Sequence, residues 1–265
     1  MKKLRLMKYP GSKWVSIPDI NNTWKESQCQ RFVDVFGGSA SISLNMGSGQ
    51  TVYNEIDTDL FNLFLCLRDN FEEFMKNAKR WTSGVKAFND YRHHEEPDNL
   101  PEVEKMVSDA FRTFYRYNTT FGGMGETYST GREKSTYTGI VKSVAHLPAI
   151  KERTGNWKIE NMDFRDLIKK YDSVDTFFYM DPPYAGKSWY NKNFTSQDFR
   201  DLSILRKEMK GKYLINFDTG NDSMKRVFGE PQFTKKYVNM NGNAQDMDNP
   251  FRYMAFYTSV IRTRK

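Results

Sequence analysis

The sequence predicts an α/β fold built on an open, mostly parallel sheet. Three observations carry that expectation: short apolar runs end on turn residues, helical spacing fills the intervals between them, and the alternation recurs along 265 residues. That length suits one large domain or a core with an insertion.

The elements follow in order. Residues 32–36 (Phe-Val-Asp-Val-Phe) run into Gly37-Gly38, 51–53 (Thr-Val-Tyr) into Asn54-Glu55, and 176–180 (Thr-Phe-Phe-Tyr-Met) into Asp181-Pro182-Pro183-Tyr184. Each reads as a buried strand. Between the first two, Ala40, Ile42 and Leu44 alternate with small residues over 39–45, predicting a short helical stretch and a strand, glycine turn, helix, strand unit. Leu60, Leu63, Phe64, Leu67, Phe71 and Phe74 recur at helical spacing and predict one helix over 60–74. From about 81 to 157 the character changes: His93-His94-Glu95-Glu96-Pro97, a helical pattern over 103–117, and a polar, glycine-rich passage over 118–139. This segment reads as an inserted lobe. The alternating pattern resumes with a strand at 157–160, a helix at 164–170 and the 176–180 strand, then strands at 212–217 and 253–257. The core is therefore expected at 1–70 and 156–265, and the insertion at 71–155.

Composition narrows the function. Hydrophobic residues at 38% and aromatics at 15% exclude a disordered chain, and 40 Lys+Arg against 33 Asp+Glu leave +7, which suits a polyanionic partner. Cys29 and Cys66 lack paired metal-ligand spacing, so neither a disulfide framework nor a zinc site is expected, and a reducing cytoplasm fits. Cys66 falls on an apolar helix face as a small core residue. Adjacent His93 and His94 would point apart on a helix and read as surface residues, so no metal is expected. The basic N-terminus lacks a signal peptide's apolar core, and no stretch approaches the roughly 20 apolar residues of a membrane span. A soluble cytoplasmic protein is the expectation.

Two segments carry candidate chemistry. Asp34 and Phe36-Gly37-Gly38-Ser39 close the first strand, where glycines let a backbone approach a nucleotide-like ligand. Glu55 closes the next strand, near the ~20-residue offset of a carboxylate that binds ribose hydroxyls. The full GxGxxG pattern is absent, and a plain strand-to-helix turn accounts for this segment equally well. The sharper signal is Asp181-Pro182-Pro183-Tyr184. Two prolines supply no N–H donors and hold the chain extended, presenting a carboxylate and carbonyls as acceptors at a strand's C-terminal edge, beside an aromatic ring. Such a set suits a planar substrate bearing an amino group.

With this tetrapeptide the chain resembles the Dam-like DNA adenine-N6 methyltransferases. Lys8-Tyr9-Pro10-Gly11-Ser12-Lys13 looks like that family's N-terminal cofactor motif, residues 32–39 like its glycine motif, Asn54-Glu55-Ile56-Asp57 like its acidic motif, and Met162-Asp163-Phe164 like its adenine-contacting motif. Tyr190-Asn191-Lys192-Asn193-Phe194-Thr195, with Asp198-Phe199, resembles the loop over the target base. The motifs stand in the family's order along nearly the whole chain.

The resemblance implies a Rossmann-like methyltransferase core using S-adenosyl-L-methionine, with an inserted, mainly helical DNA-recognition lobe. Asp181, Pro182, Pro183 and Tyr184 would be catalytic. Tyr9, Lys13, Asp34, Phe36, Gly37, Gly38, Ser39, Glu55, Asp163, Phe164 and Asp181 would bind the cofactor. Arg112, Arg116, Asn118, Arg132, Lys134, Lys187, Tyr190 and Phe194 would meet DNA, expected to be double-stranded, through phosphates, base edges and stacking. Neither a membrane nor an obligatory protein partner is implied. Arg116-Tyr117-Asn118 only weakly matches the recognition hairpin of GATC-modifying relatives, since no Asn-x-Pro-aromatic-Gly continuation follows; the target sequence stays open. Other acceptors, namely cytosine N4, RNA adenine or a glutamine side chain, and a non-catalytic DNA-binding module are the competing expectations. Relatives acting on such acceptors more often carry Ser or Asn at the position of Asp181.

Overall fold

The computed structural model describes residues 3–46, 49–80, 84–93, 99–123, 125–183, 194–218, 222–238 and 251–260. Its strands are β1 (Arg31–Asp34), β2 (Gln50–Asn54), β3 (Lys158–Glu160), β4 (Thr176–Met180), β5 (Lys212–Asp218), β6 (Phe233–Val238) and β7 (Phe251–Thr258). Its helices are α1 (Ile17–Ser27), α2 (Thr58–Asp69), α3 (Phe71–Arg80), α4 (Val85–His93), α5 (Glu102–Thr119), α6 (Glu133–Thr154), α7 (Phe164–Tyr171), α8 (Ser196–Glu208) and α9 (Asp222–Phe228). Among the described residues the strands form one open, mostly parallel sheet in the order β3-β2-β1-β4-β5-β7-β6. The predicted α/β class is borne out. No described helix is long and apolar enough to cross a membrane.

Compactness divides the chain into two units. The first comprises Met1–Trp14, Gly37–Met46 and Tyr53–Asn161. Its core joins Leu60, Leu63, Phe64 and Leu67 of α2 to Phe111 and Phe114 of α5 and to Ile140 and Leu147 of α6. Tyr53 enters it with its ring 4.5 Å from that of Phe64 and 5.9 Å from that of Trp157. Cys66 is fully buried, as expected, and burial pushes its thiol up to about 12, which keeps it protonated and inert.

Three local expectations for this unit are corrected. The helix predicted over 60–74 is two helices, because Asn70 leaves helical geometry (φ −126°, ψ 39°) as the C-cap of α2. Only a 3₁₀ turn, Ser43–Asn45, forms within 39–45, since Gly38 and Ala40 take left-handed φ of 50° and 52° and interrupt a helix. Conversely, the polar passage turns helical at Glu133. The inward face of α6 mixes Thr136, Ser143 and Thr154 with Ile140, Leu147 and Ile150, so its hydropathy pattern is weak.

The second unit comprises Val15–Phe36, Gly47–Val52 and Met162–Lys265. Strands β1, β4 and β5 run parallel within it, with Asp34 opposite Tyr179 and Met180 opposite Ile215. β7 pairs antiparallel with both β5 and β6. The central strand β4 is buried along its whole length, which accounts for its uninterrupted apolar sequence. α8 starts with a capping box: Thr195 Oγ1 accepts from Asp198 N at 3.2 Å, and Asp198 Oδ2 accepts from Thr195 N at 2.7 Å.

The N-terminal segment is clasped in the first unit by Asn45. Its Oδ1 accepts from Leu4 N, and its Nδ2 donates to Leu4 O and Ser41 O, each at 2.9 Å. Asn45→Ala is expected to lower stability by about 2 kcal/mol, read as a fall in the urea midpoint with the slope unchanged.

Candidate active site

In an open α/β sheet, ligands bind at the carboxyl edge where the strand order reverses. Here the order reverses between neighbours β1 and β4, since β1 leads to β2 on one side and β4 to β5 on the other. The second unit contributes the ends of β1, β4 and β5 to this edge. Val35 N donates to Tyr179 O at 3.0 Å, extending the ladder by one residue beyond β1. Asp34 is buried at that end, and Phe36 follows half-buried. Asp181 and buried Pro182 leave the end of β4, with Asp181 half-buried. The β4–β5 register brings Asn216 beside Asp181, and Asn216 Nδ2 donates to Asp181 Oδ1 at 2.9 Å. Asn216 is fully buried, and among the described residues its own Oδ1 has no hydrogen-bond partner. The sequence patterns did not mark Asn216. The available signal was an amide inside the apolar run 213–217, where β propensity favours branched or aromatic residues.

An aromatic cluster stands in the same unit. The rings of Phe36 and Phe164 lie 5.8 Å apart, those of Phe36 and Phe194 5.2 Å, and those of Phe164 and Phe194 5.2 Å. The resemblance groups Phe194 with the loop over the target base, whereas its ring here contacts two residues of the expected cofactor set. Asp163 is exposed and caps α7, accepting from Arg165 N at 2.9 Å. Arg165 also pairs with Asp163, Asp198 and Asp201, and its guanidinium lies 4.4 Å from the Phe164 ring centroid. α7 and α8 are thereby tied together next to the cluster.

In the first unit the glycine turn and the acidic residue are built into one arrangement. Gly38 N donates to Glu55 Oε2 at 2.7 Å and Asp57 N to Glu55 Oε1 at 2.9 Å, while the Tyr53 hydroxyl donates to Gly38 O at 2.7 Å. Burial pushes the Glu55 carboxyl up to about 7, against the opposing pull of those backbone donors. Ser39 is buried. Tyr9 lies with its ring 5.4 Å from that of Tyr117 and close under Gly38, where an added Cβ would approach the Tyr9 ring to 3.0 Å. Lys13 is buried and its Nζ donates to Gly11 O at 2.6 Å.

The expected DNA-contacting residues separate by environment. Arg112 and Arg116 are half-buried and pair with Asp109 and Asp59. Asn118 is buried, with Nδ2 donating to Leu6 O and Phe114 O and Oδ1 accepting from Ser143 Oγ at 2.9 Å. Its polar atoms hold α5 to α6 and to the N-terminal segment. Arg132 and Lys134 are exposed at the start of α6, and Arg132 lies 5.6 Å from the ring of Phe121, which is itself 61% exposed. Tyr184, Lys187 and Tyr190 lie outside the described residues. Among the described residues no cluster of His, Cys, Asp and Glu could hold a metal ion.

A sequence model of the D12 class N6 adenine-specific DNA methyltransferases matches residues 9–243. The chain belongs to that family and is an adenine-specific DNA methyltransferase. DNA adenine methylases of Escherichia coli (strain K12) and Escherichia coli O157:H7 are each 22% identical to it over 239 residues, covering 84% of this chain and 83% of their own length.

Two stability predictions follow from the first-unit arrangement. A Cβ at Gly37 would stand 2.1 Å from Tyr53 Cε2, in a ring already held by Gly38 and Phe64. Gly37→Ala is expected to cost about 1–3 kcal/mol, seen as a lower Tm. Between Glu55's ordinary value of 4.5 and its folded value of about 7, the folded chain holds the extra proton. That contribution is complete below pH 4.5 and fades as pH rises to 7. Glu55→Gln is expected to gain on wild type by about 3 kcal/mol across that window, measured by urea unfolding at pH 4.5 and 7.5.

Proposed function

We propose that this enzyme transfers a methyl group from S-adenosyl-L-methionine to N6 of an adenine flipped out of double-stranded DNA. The observation that carries this reading is the placement of Asp181, which leaves the carboxyl edge of β4 ahead of two prolines and is held there through Oδ1. Adenine's exocyclic amine is a poor nucleophile because its lone pair is delocalised into the ring. A carboxylate and a carbonyl that accept its two hydrogens favour a tetrahedral nitrogen with a localised lone pair. Asp181 and the Pro182 carbonyl take those roles, Pro183 keeps the turn extended, and Tyr184 stacks on the base. Flipping costs roughly a few kcal/mol, and stacking with hydrogen bonding in the site offsets it.

The residues fit the cofactor. Its sulfonium supplies an already electrophilic methyl group, so no metal enters this reading. The Phe36, Phe164 and Phe194 rings suit an adenine ring, and Glu55, held by two backbone donors, suits two ribose hydroxyls. Asp34, Gly37, Gly38 and Ser39 line the turn, Tyr9 and Lys13 belong to the N-terminal motif, and Asp163 positions Phe164 by capping α7.

Residues 1–70 and 156–265 form the catalytic domain in this reading, and 71–155 recognise the target. Exposed Arg132 and Lys134 are suited to phosphates. Arg112 and Arg116 would have to exchange their acidic partners for DNA, and Asn118 serves the lobe's packing. Lys187 and Tyr190 belong to the loop over the base. No obligatory protein partner is required, and the reaction suits the cytoplasm.

Asp181→Ala is expected to reduce methyl transfer by about a thousand-fold or more while calorimetry shows cofactor affinity within about threefold of wild type. Labelled transfer with nucleoside mass spectrometry checks it. N6-methyladenine made only by wild type supports the reading. Methylcytosine, or transfer unaffected by the substitution, overturns it.

A further inference from the structure

The amide of Asn216 has no assigned purpose, and its position is chemically uneconomical for a strand interior. Its neighbours Leu214, Ile215 and Phe217 are buried apolar residues, and an apolar side chain there would spare the strand a buried carbonyl without a partner among the described residues. Among the described residues the Asn216 side chain makes one hydrogen bond, Nδ2 to Asp181 Oδ1 at 2.9 Å.

We propose that Asn216 is a positioning residue for methyl transfer, orienting the Asp181 carboxylate through Oδ1 toward the amine of the target base. This rests on the reading that Asp181 accepts an amine hydrogen. The physical need is specific. The terminal torsion of an aspartate, between tetrahedral and planar carbon, is broad and soft, so hydrogen bonds set the direction of its lone pairs. Asn216 is a suitable tether because it stands on β5 between β4 and β7, opposite Phe256 on one side and level with Asp181 on the other, and is fully buried. Its own rotamer is fixed by packing, and a donor to a charged acceptor forms one of the stronger hydrogen bonds a neutral amide can make. The proton of that bond stays on the amide nitrogen throughout. Asn216 binds neither the cofactor nor the base, so its loss acts on the rate of transfer and leaves binding in place.

The test uses the full chain, S-adenosyl-L-methionine, a DNA duplex that wild type methylates, and Asn216→Leu, which keeps the branching of the side chain and removes both polar atoms. Single-turnover transfer is expected to fall about 10- to 100-fold. Cofactor affinity and DNA affinity are expected to stay within about twofold, and Tm to stay level or rise. A purely structural asparagine would give the opposite split. Asn216→Asp, which replaces the donor with a second carboxylate facing Asp181, is expected to be slower still. A transfer rate within about twofold of wild type in a folded Asn216→Leu enzyme overturns the proposal, as does a parallel loss of cofactor and DNA binding. Should Asn216→Leu fail to fold, Asn216→Ala is read the same way, and failure of both makes Asn216 a folding residue and overturns the proposal. Asp181→Ala is run alongside. If it retains transfer, the role given to Asp181 fails; if it is inactive while Asn216→Leu is fast, only the role of Asn216 fails.

Discussion

The parallel register of β1, β4 and β5 is the constraint on which the chemistry of the second unit depends. Hydrogen bonds along these strands fix where each one ends. Pairing of Asp34 with Tyr179 and of Met180 with Ile215 therefore brings residues distant in sequence to a common carboxyl edge. A slip of one residue would turn every side chain on a strand to the opposite face, removing Asn216 from Asp181. Burial on both faces of β4 makes such a slip costly, so the same apolar sequence that stabilises the sheet also aims its terminal carboxylate.

Each unit holds a polar group against the preference of the protein interior. Glu55 is buried at the expense of its charge and is partly compensated by two backbone donors, while Asn216 leaves one buried oxygen without a described partner. Interiors expel such groups unless they serve a purpose, and sites that handle charge are where a chain tolerates them. The two backbone N–H groups pull the Glu55 carboxyl toward its charged form and oppose part of the effect of burial. The ties from Arg165 to Asp163, Asp198 and Asp201 are partly exposed and contribute more to fixing α7 against α8 than to overall stability.

The helical segment of the first unit divides its polar residues between architecture and surface. Asn118 and Ser143 join α5 to α6 inside the core, whereas Arg132 and Lys134 stand in solvent at the beginning of α6. This division allows surface residues to vary without disturbing the packing that carries them.

The sequence alone determined the α/β class, the three main strands and the Asp-Pro-Pro-Tyr segment, because a fully buried strand imposes a continuous apolar run and a double proline imposes an extended chain. It also marked Asp34, Glu55 and the glycine turn, since each stands at a strand end. Helix α6 escaped that reading because threonine and serine on its inward face dilute the apolar period, and the break at Asn70 depends on local backbone geometry that the hydrophobic spacing does not register. The partnership of Asn216 with Asp181 and the contact of Phe194 with Phe36 and Phe164 were decided by tertiary structure. Both join residues through strand pairing and packing across separations in the chain that no local pattern encodes.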